Sequence, residues 1–248
     1  MQREPLFNVP RIVVAVLAAL ILIHLVREYV LSEDQDLRLL LEFAFIPARY
    51  DGAALQQGWP GGIGADIWTF VTYAVLHASW LHLGVNAIWL LPFGSALARR
   101  FGSVRFVAFL AITSAAGAAL HLVTHLDEQY PMIGASAAIS GTMAAAIRFA
   151  FQRGGPLTVF GDTDDEAYRV PALPLRGLLR DGRVLLFLLV WFGINLIFGV
   201  GSFSPLTGGE TVAWQAHVGG FLAGLLLFSW FDPAPAARNA QDWDARPQ

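Results

Sequence analysis

The stretch PMIGASAAISG, residues 131–141, sets two serines and a run of tiny residues where an apolar helix begins. Two readings compete for it. Small residues at regular spacing let helix backbones approach closely in lipid. A serine just after a glycine can instead be a nucleophile, although GASAA misses the G-x-S-x-G elbow of soluble hydrolases because residue 138 is alanine. The choice depends on what the rest of the chain brings to the same depth.

The surroundings are those of a membrane protein. Of 248 residues, 56% are hydrophobic and 14% charged, and the mean hydropathy is +0.54; soluble domains carry about 25% charged residues. A membrane helix needs about 20 mostly apolar residues. Six segments meet or approach that length: 11–31, 69–98, 104–126, 132–151, 183–200 and 214–231. The second is too long for one span, so its entry around Thr69 to Ser79 is expected to be non-helical. The first runs into Glu33, Asp34 and Asp36 without a small-residue cleavage site, and reads as an anchor rather than a signal peptide. The expectation is an all-α membrane protein, a bundle of six transmembrane helices over 11–231. A short N-terminus, 1–10, precedes it, and a disordered tail, 232–248, follows.

Arginine distribution orients the bundle, since basic residues collect on the cytoplasmic side. All sixteen basic residues are arginine. With six spans, Arg3, Arg11, Arg99, Arg100, Arg105, Arg148, Arg153, Arg169, Arg176, Arg180, Arg183, Arg238 and Arg246 share one side. Only Arg27, Arg38 and Arg49 lie on the other. Both termini are therefore expected in the cytoplasm. The polar connector 152–182 reads as solvated, and Leu37 to Phe45 as an amphipathic piece in the interface. The absence of cysteine excludes a disulfide framework and a thiol nucleophile. A net charge of -3 argues against a nucleic-acid partner. No Gly-rich phosphate loop supports a nucleotide, and no cofactor is expected.

Polar side chains inside spans are costly and are functional candidates by default. The second span enters from the outer side with HASWLHLGVN, carrying His77, His82 and Asn86. The fourth enters from the same side; with a helix start near 132, Ser136 lies about 6 Å in. The sixth enters with WQAHVGG, placing His217 just after Trp214. Three helices thus bring Asn/His, Ser and His to one depth. A serine hydroxyl needs a neighbouring base to take its proton, and histidine is the usual one. His82 and Asn86, at i and i+4, share a helix face and, with the Ser136 N–H, can donate to an oxyanion. No carboxylate lies at this depth, so a Ser136/His217 pair is expected rather than an Asp-oriented triad. Gly220 and Gly224, opposite Gly134, Ala137, Ala138 and Gly141, allow the two helices to meet.

Taken together, these motifs resemble the rhomboid family of intramembrane serine proteases over about 66–228. Gly134, Ala135 and Ser136 match the family's G-x-S-G, with Ala137 in place of the second glycine. Ala216, His217, Gly220 and Gly224 match its sixth-helix pattern, and His82 with Asn86 its His-x-x-x-Asn. The chain departs at Trp68-Thr69, where the family often has Trp-Arg; at Ala98, which precedes Arg99 and Arg100 where an acidic residue is common; and at Ser140, aromatic in some members. The resemblance implies a water-filled cavity opening outward, with transmembrane protein substrates cleaved by Ser136 and His217. It also implies a lateral entry, for which Trp191, Phe192 and Phe198 are candidates; a bacterial plasma membrane is the expected location. The alternatives are a catalytically silent rhomboid-like protein that binds membrane clients and, from another class, a small transporter using its histidines. The i, i+4 pair His121 and His125 lacks a third ligand nearby, and no metal site is expected. His24 reads as snorkelling or carbonyl-bonded, and Asn195, mid-depth in the fifth span, as a group that bonds across helices in a packing role.

Overall fold

The computed structural model describes residues 9–51, 58–157, 165–200 and 212–233, with side chains omitted at 165 and 198–200. The tail expected to be disordered lies almost wholly outside these residues. Among the described residues the only extended pairing is an isolated antiparallel bridge between Phe45 and Met132. All else regular is helical, which is how a chain in lipid satisfies its backbone polar groups internally.

Among the described residues, three helices are long and apolar enough to cross a membrane: Arg11–Tyr29, Trp80–Phe101 and Ser103–Thr124. The first is α1. It leads through the short helix α2 (Glu33–Phe43) and a 3₁₀ turn at Pro47–Tyr50 to α3 (Gly62–Thr72). The second comprises α4 (Trp80–Trp89), a π-turn at Leu90–Gly94 and α5 (Ser95–Phe101). Pro92 lies in that turn; a proline has no N–H to donate, and the wider winding absorbs the lost bond. The third is α6 (Ser103–Thr124), followed by α7 (Ser136–Ala146), the single turn α8 (Leu175–Leu178), α9 (Gly182–Val200) and α10 (Trp214–Phe231).

Two expectations change. The entry to the second span is not irregular throughout: α3 continues to Thr72 and a 3₁₀ turn covers Tyr73–Val75, so only the four residues before Trp80 are non-helical. The amphipathic piece starts at Glu33 rather than Leu37, because Ser32 and Gln35 form a capping box.

The centre of the bundle is α7. Its 11 residues rise only about 16 Å, half the hydrocarbon thickness. From Ala137 to Ala146 every residue is buried, as expected of a helix apolar all round. It packs against α6 and α10 through atoms close to the backbone. A Cβ built on Gly141 would meet Thr113 at 2.5 Å, and one on Gly220 or Gly224 would run into the carbonyl of Ala137 or Gly141.

Buried arginines tie the periphery to this centre. Arg49, fully buried, donates to Asp66 at 3.2 Å, to the Pro60 carbonyl at 3.1 Å and to the Leu41 carbonyl. The same layer holds Trp68, donating to the Glu42 carbonyl, and Thr69, bonded to Tyr50 and to the Ala65 carbonyl. Thus the departure at Thr69 leaves the segment anchored, with Arg49 as its guanidinium. At the opposite end Arg100 pairs with Asp232 at 2.8 Å and donates to the carbonyls of Tyr168 and Val170. Arg148 reaches the Leu173 carbonyl and Ser229. These two guanidinium groups are buried in hydrogen bonds instead of reaching water.

Candidate active site

Ser136 is the first residue of α7, not a turn inside a helix begun near 132. The preceding chain is held extended: Phe45 and Met132 exchange backbone bonds of 3.1 and 2.8 Å, and Gly134 donates to the Tyr73 carbonyl at 3.0 Å. Gly134 has φ +120°, which side-chain-bearing residues rarely adopt, so no helix can pass through it. At the N-terminus of α7 the first N–H groups have no intrahelical acceptor, and the helix dipole favours negative charge beside them.

His217 lies one turn into α10, and its Nε2 is 2.7 Å from Ser136 Oγ. The glycine seam sets that distance, since α10 rests on α7 with backbone against backbone at Gly220 and Gly224. The other ring nitrogen, Nδ1, is 2.6 Å from Asn195 Oδ1 on α9. Asn195 does bond across helices, as its sequence position suggests, and the partner is the histidine of the site.

His82 and Asn86 come from α4. Ser79 caps that helix, accepting from the His82 N–H at 3.2 Å. His82 Nδ1 accepts from the Ala78 N–H at 3.5 Å, which leaves the ring proton on Nε2. That edge faces Gly134, where an added Cβ would stand 2.7 Å from Nε2 and 3.8 Å from Ser136 Oγ. Asn86 is buried and donates one amide hydrogen to the His82 carbonyl at 3.0 Å; an amide carries two. Ser136, His217, His82, Asn86 and Asn195 all line one cavity of about 330 Å³. It extends between α4 and α9, past Val85 and Trp89 on one side and Val190 and Ile194 on the other.

Of the remaining candidates, Ser140 and Trp191 also border the cavity and the histidines do not. Ser140 donates to the Ser136 carbonyl at 2.8 Å and so supports the first turn of α7, not the histidine. His77 packs edge-on against His82 with ring centroids 5.1 Å apart. His24 packs against Trp80 at 4.6 Å. His121 and His125 stack on each other at 4.7 Å, and His125 Nε2 lies 3.3 Å from Gln215 Nε2. Trp191 is buried against Phe221, with centroids 4.5 Å apart, while Phe192 is 47% exposed; the Phe198 side chain lies outside the described residues.

A short buried helix opening on a serine, a histidine bonded to it from a glycine-faced neighbour and a cavity lined by both define a rhomboid-type membrane protein. Residues 64–232 match the model of the rhomboid domain, and the chain belongs to that family. Among its relatives, the rhomboid protease GlpG of Haemophilus influenzae is 26% identical over 162 residues, 65% of this chain and 68% of that protein. Rhomboid-like protease 3 of Toxoplasma gondii is 26% identical over 171 residues, 67% of this chain. GlpG of Serratia proteamaculans is 29% identical over 178 residues, 71% of this chain. This chain spans about half, 52%, of each of the latter two.

Proposed function

We propose that the protein is an intramembrane serine endopeptidase that cleaves transmembrane segments of other membrane proteins with Ser136 and His217. The observation carrying this reading is the 2.7 Å approach of His217 Nε2 to Ser136 Oγ inside a cavity. His217 Nε2 takes the hydroxyl proton as Oγ attacks the scissile carbonyl. The oxyanion receives hydrogen bonds from His82 Nε2–H, the second amide hydrogen of Asn86 and the Ser136 N–H. The proton on Nε2 passes to the leaving amine, the C–N bond breaks, and an acyl ester remains on Ser136. Water then attacks the ester, giving its proton to His217, and Oγ leaves with that proton as the carboxyl product is freed. In this reading α1, α4–α5, α6, α9 and α10 are membrane passages, and the short α7 makes the sixth together with the turns that continue it to Ala150. Both termini are cytoplasmic, in a bacterial inner membrane, and the site opens to the outer face.

A fluorophosphonate probe tests the reading without a known substrate. Oγ forms a bond to phosphorus, fluoride leaves, and His217 takes the proton. The expected result is one adduct at Ser136, absent from Ser136→Ala. An intact, unlabelled wild-type protein would indicate a client-binding relative without catalysis.

Gly134→Ala probes the donor side. The methyl group enters the space of the His82 ring at a φ that alanine avoids. Displacing one oxyanion donor lowers kcat by about 10²-fold. Labelling of Ser136 and kcat measured on the same preparation check this, with both expected to fall.

A further inference from the structure

We infer that Asn195 is the positioning residue of the His217 base, delivered by a helix that carries neither reacting group. This rests on the proposed protease reading and adds a third member to its pair. The amide of Asn195 has its direction assigned by its hydrogen bonds. Its Nδ2 donates to the Trp191 carbonyl at 2.8 Å, so Oδ1 is the atom that faces the ring, 2.6 Å from His217 Nδ1. An amide oxygen only accepts, so Nδ1 carries the ring hydrogen. The lone pair then lies on Nε2, toward the hydroxyl of Ser136 at 2.7 Å. Asn195 is 8% exposed, so water does not compete for the bond. A neutral amide serves a histidine in this way in the Cys-His-Asn arrangement of papain-like proteases.

The placement of the three residues has a consequence. Ser136 is on α7, His217 on α10 and Asn195 on α9. The α7–α10 contact is backbone against backbone, whereas α9 rests on α10 through the Trp191–Phe221 stack. The cavity runs along α9 at Val190 and Ile194, so whatever occupies it bears on the helix that orients the base. With α9 seated, His217 is held in the accepting tautomer. When α9 shifts by more than about 1 Å, the 2.6 Å bond is lost and the ring is free to exchange tautomers.

The test uses full-length protein in detergent micelles and fluorophosphonate labelling of Ser136, with the maximal labelling rate and half-saturating probe concentration determined separately. Asn195→Leu removes donor and acceptor. It is expected to lower the maximal rate about 10²-fold, less than the roughly 10⁴-fold seen for a charged orienter, and to change half-saturation by no more than about twofold. Asn195→Asp keeps the acceptor and loses the donor to Trp191. It is expected to stay within about tenfold of wild type. Nitrogen-15 NMR of histidine-labelled protein is expected to show His217 protonated at Nδ1 in the wild type and the Asp variant, and in tautomer exchange in the Leu variant. Wild-type labelling by Asn195→Leu, equal losses in Leu and Asp, or a wild-type ring protonated at Nε2 would each overturn the inference. Absence of any wild-type labelling would instead overturn the protease reading. The tautomer measurement needs no variant, so a Leu protein that fails to fold leaves the inference testable.

Discussion

Ser136→Ala is expected to stop cleavage while leaving the bundle intact. Oγ makes its functional contact with His217, and alanine is already the dominant residue of α7, so removing one oxygen opens no gap in the packing. Loss of the nucleophile in a serine hydrolase lowers kcat by about 10⁶-fold, and loss of the base by a similar amount. His217→Ala is therefore expected to match Ser136→Ala, and the double variant to be no worse, because the two groups act as a unit. Co-expression with a panel of single-span membrane proteins, followed by mass spectrometry of the fragments, reads the first effect. Thermal unfolding in detergent checks that the variants fold as the wild type does. Undiminished cleavage by either single variant would refute the assignment of both residues.

Gly220→Val is expected to separate the same two groups without touching either. A Cβ at residue 220 meets the carbonyl and Cα of Ala137, backbone atoms that cannot rotate aside, so α10 must move away from α7. His217 lies one turn earlier on α10, and Ser136 is the neighbour of Ala137, so the 2.7 Å bond opens with the helices. Misplacing a reacting group by 1 Å lowers rate by about 10²-fold, and forcing methyl groups into a filled seam destabilises by about 1–3 kcal/mol. The expected result is a loss of about 10²-fold in cleavage and, separately, a lower Tm. Gly193→Ala is the control: that position on α9 faces open space, and both quantities are expected to hold.

Much of this site was legible from the chain because depth in a membrane can be counted along a helix. That count groups His77, His82, Asn86, Ser136 and His217; the last four line the cavity and His77 does not. The count misplaced the start of α7, since hydropathy does not register the positive φ at Gly134 or the strand-like pairing at Met132. Asn195 escaped for a different reason. It was weighed by residue type, as a mid-span amide, although it lies five residues before the end of α9 at Val200, a depth comparable with that of His217. The seating of Arg49 had no local signal at all, because its partners at 41, 60 and 66 come together only in the fold.

Arginines fasten the far end of the bundle, the foot of α9 included. Arg100 and Arg148 fasten the ends of α5, α7 and α10 to the 168–173 segment, and Arg183 at the foot of α9 donates to the Phe151 carbonyl at 2.9 Å. Toward the other end α9 presents Leu189, Leu196 and Ile197 outward, without polar ties from these residues. The foot of α9 is thus tied by a guanidinium, and its upper half by the Trp191–Phe221 stack and the Asn195–His217 bond. In the proposed protease, loosening of α9 at the level of Ser136 would therefore break the bond that orients the base.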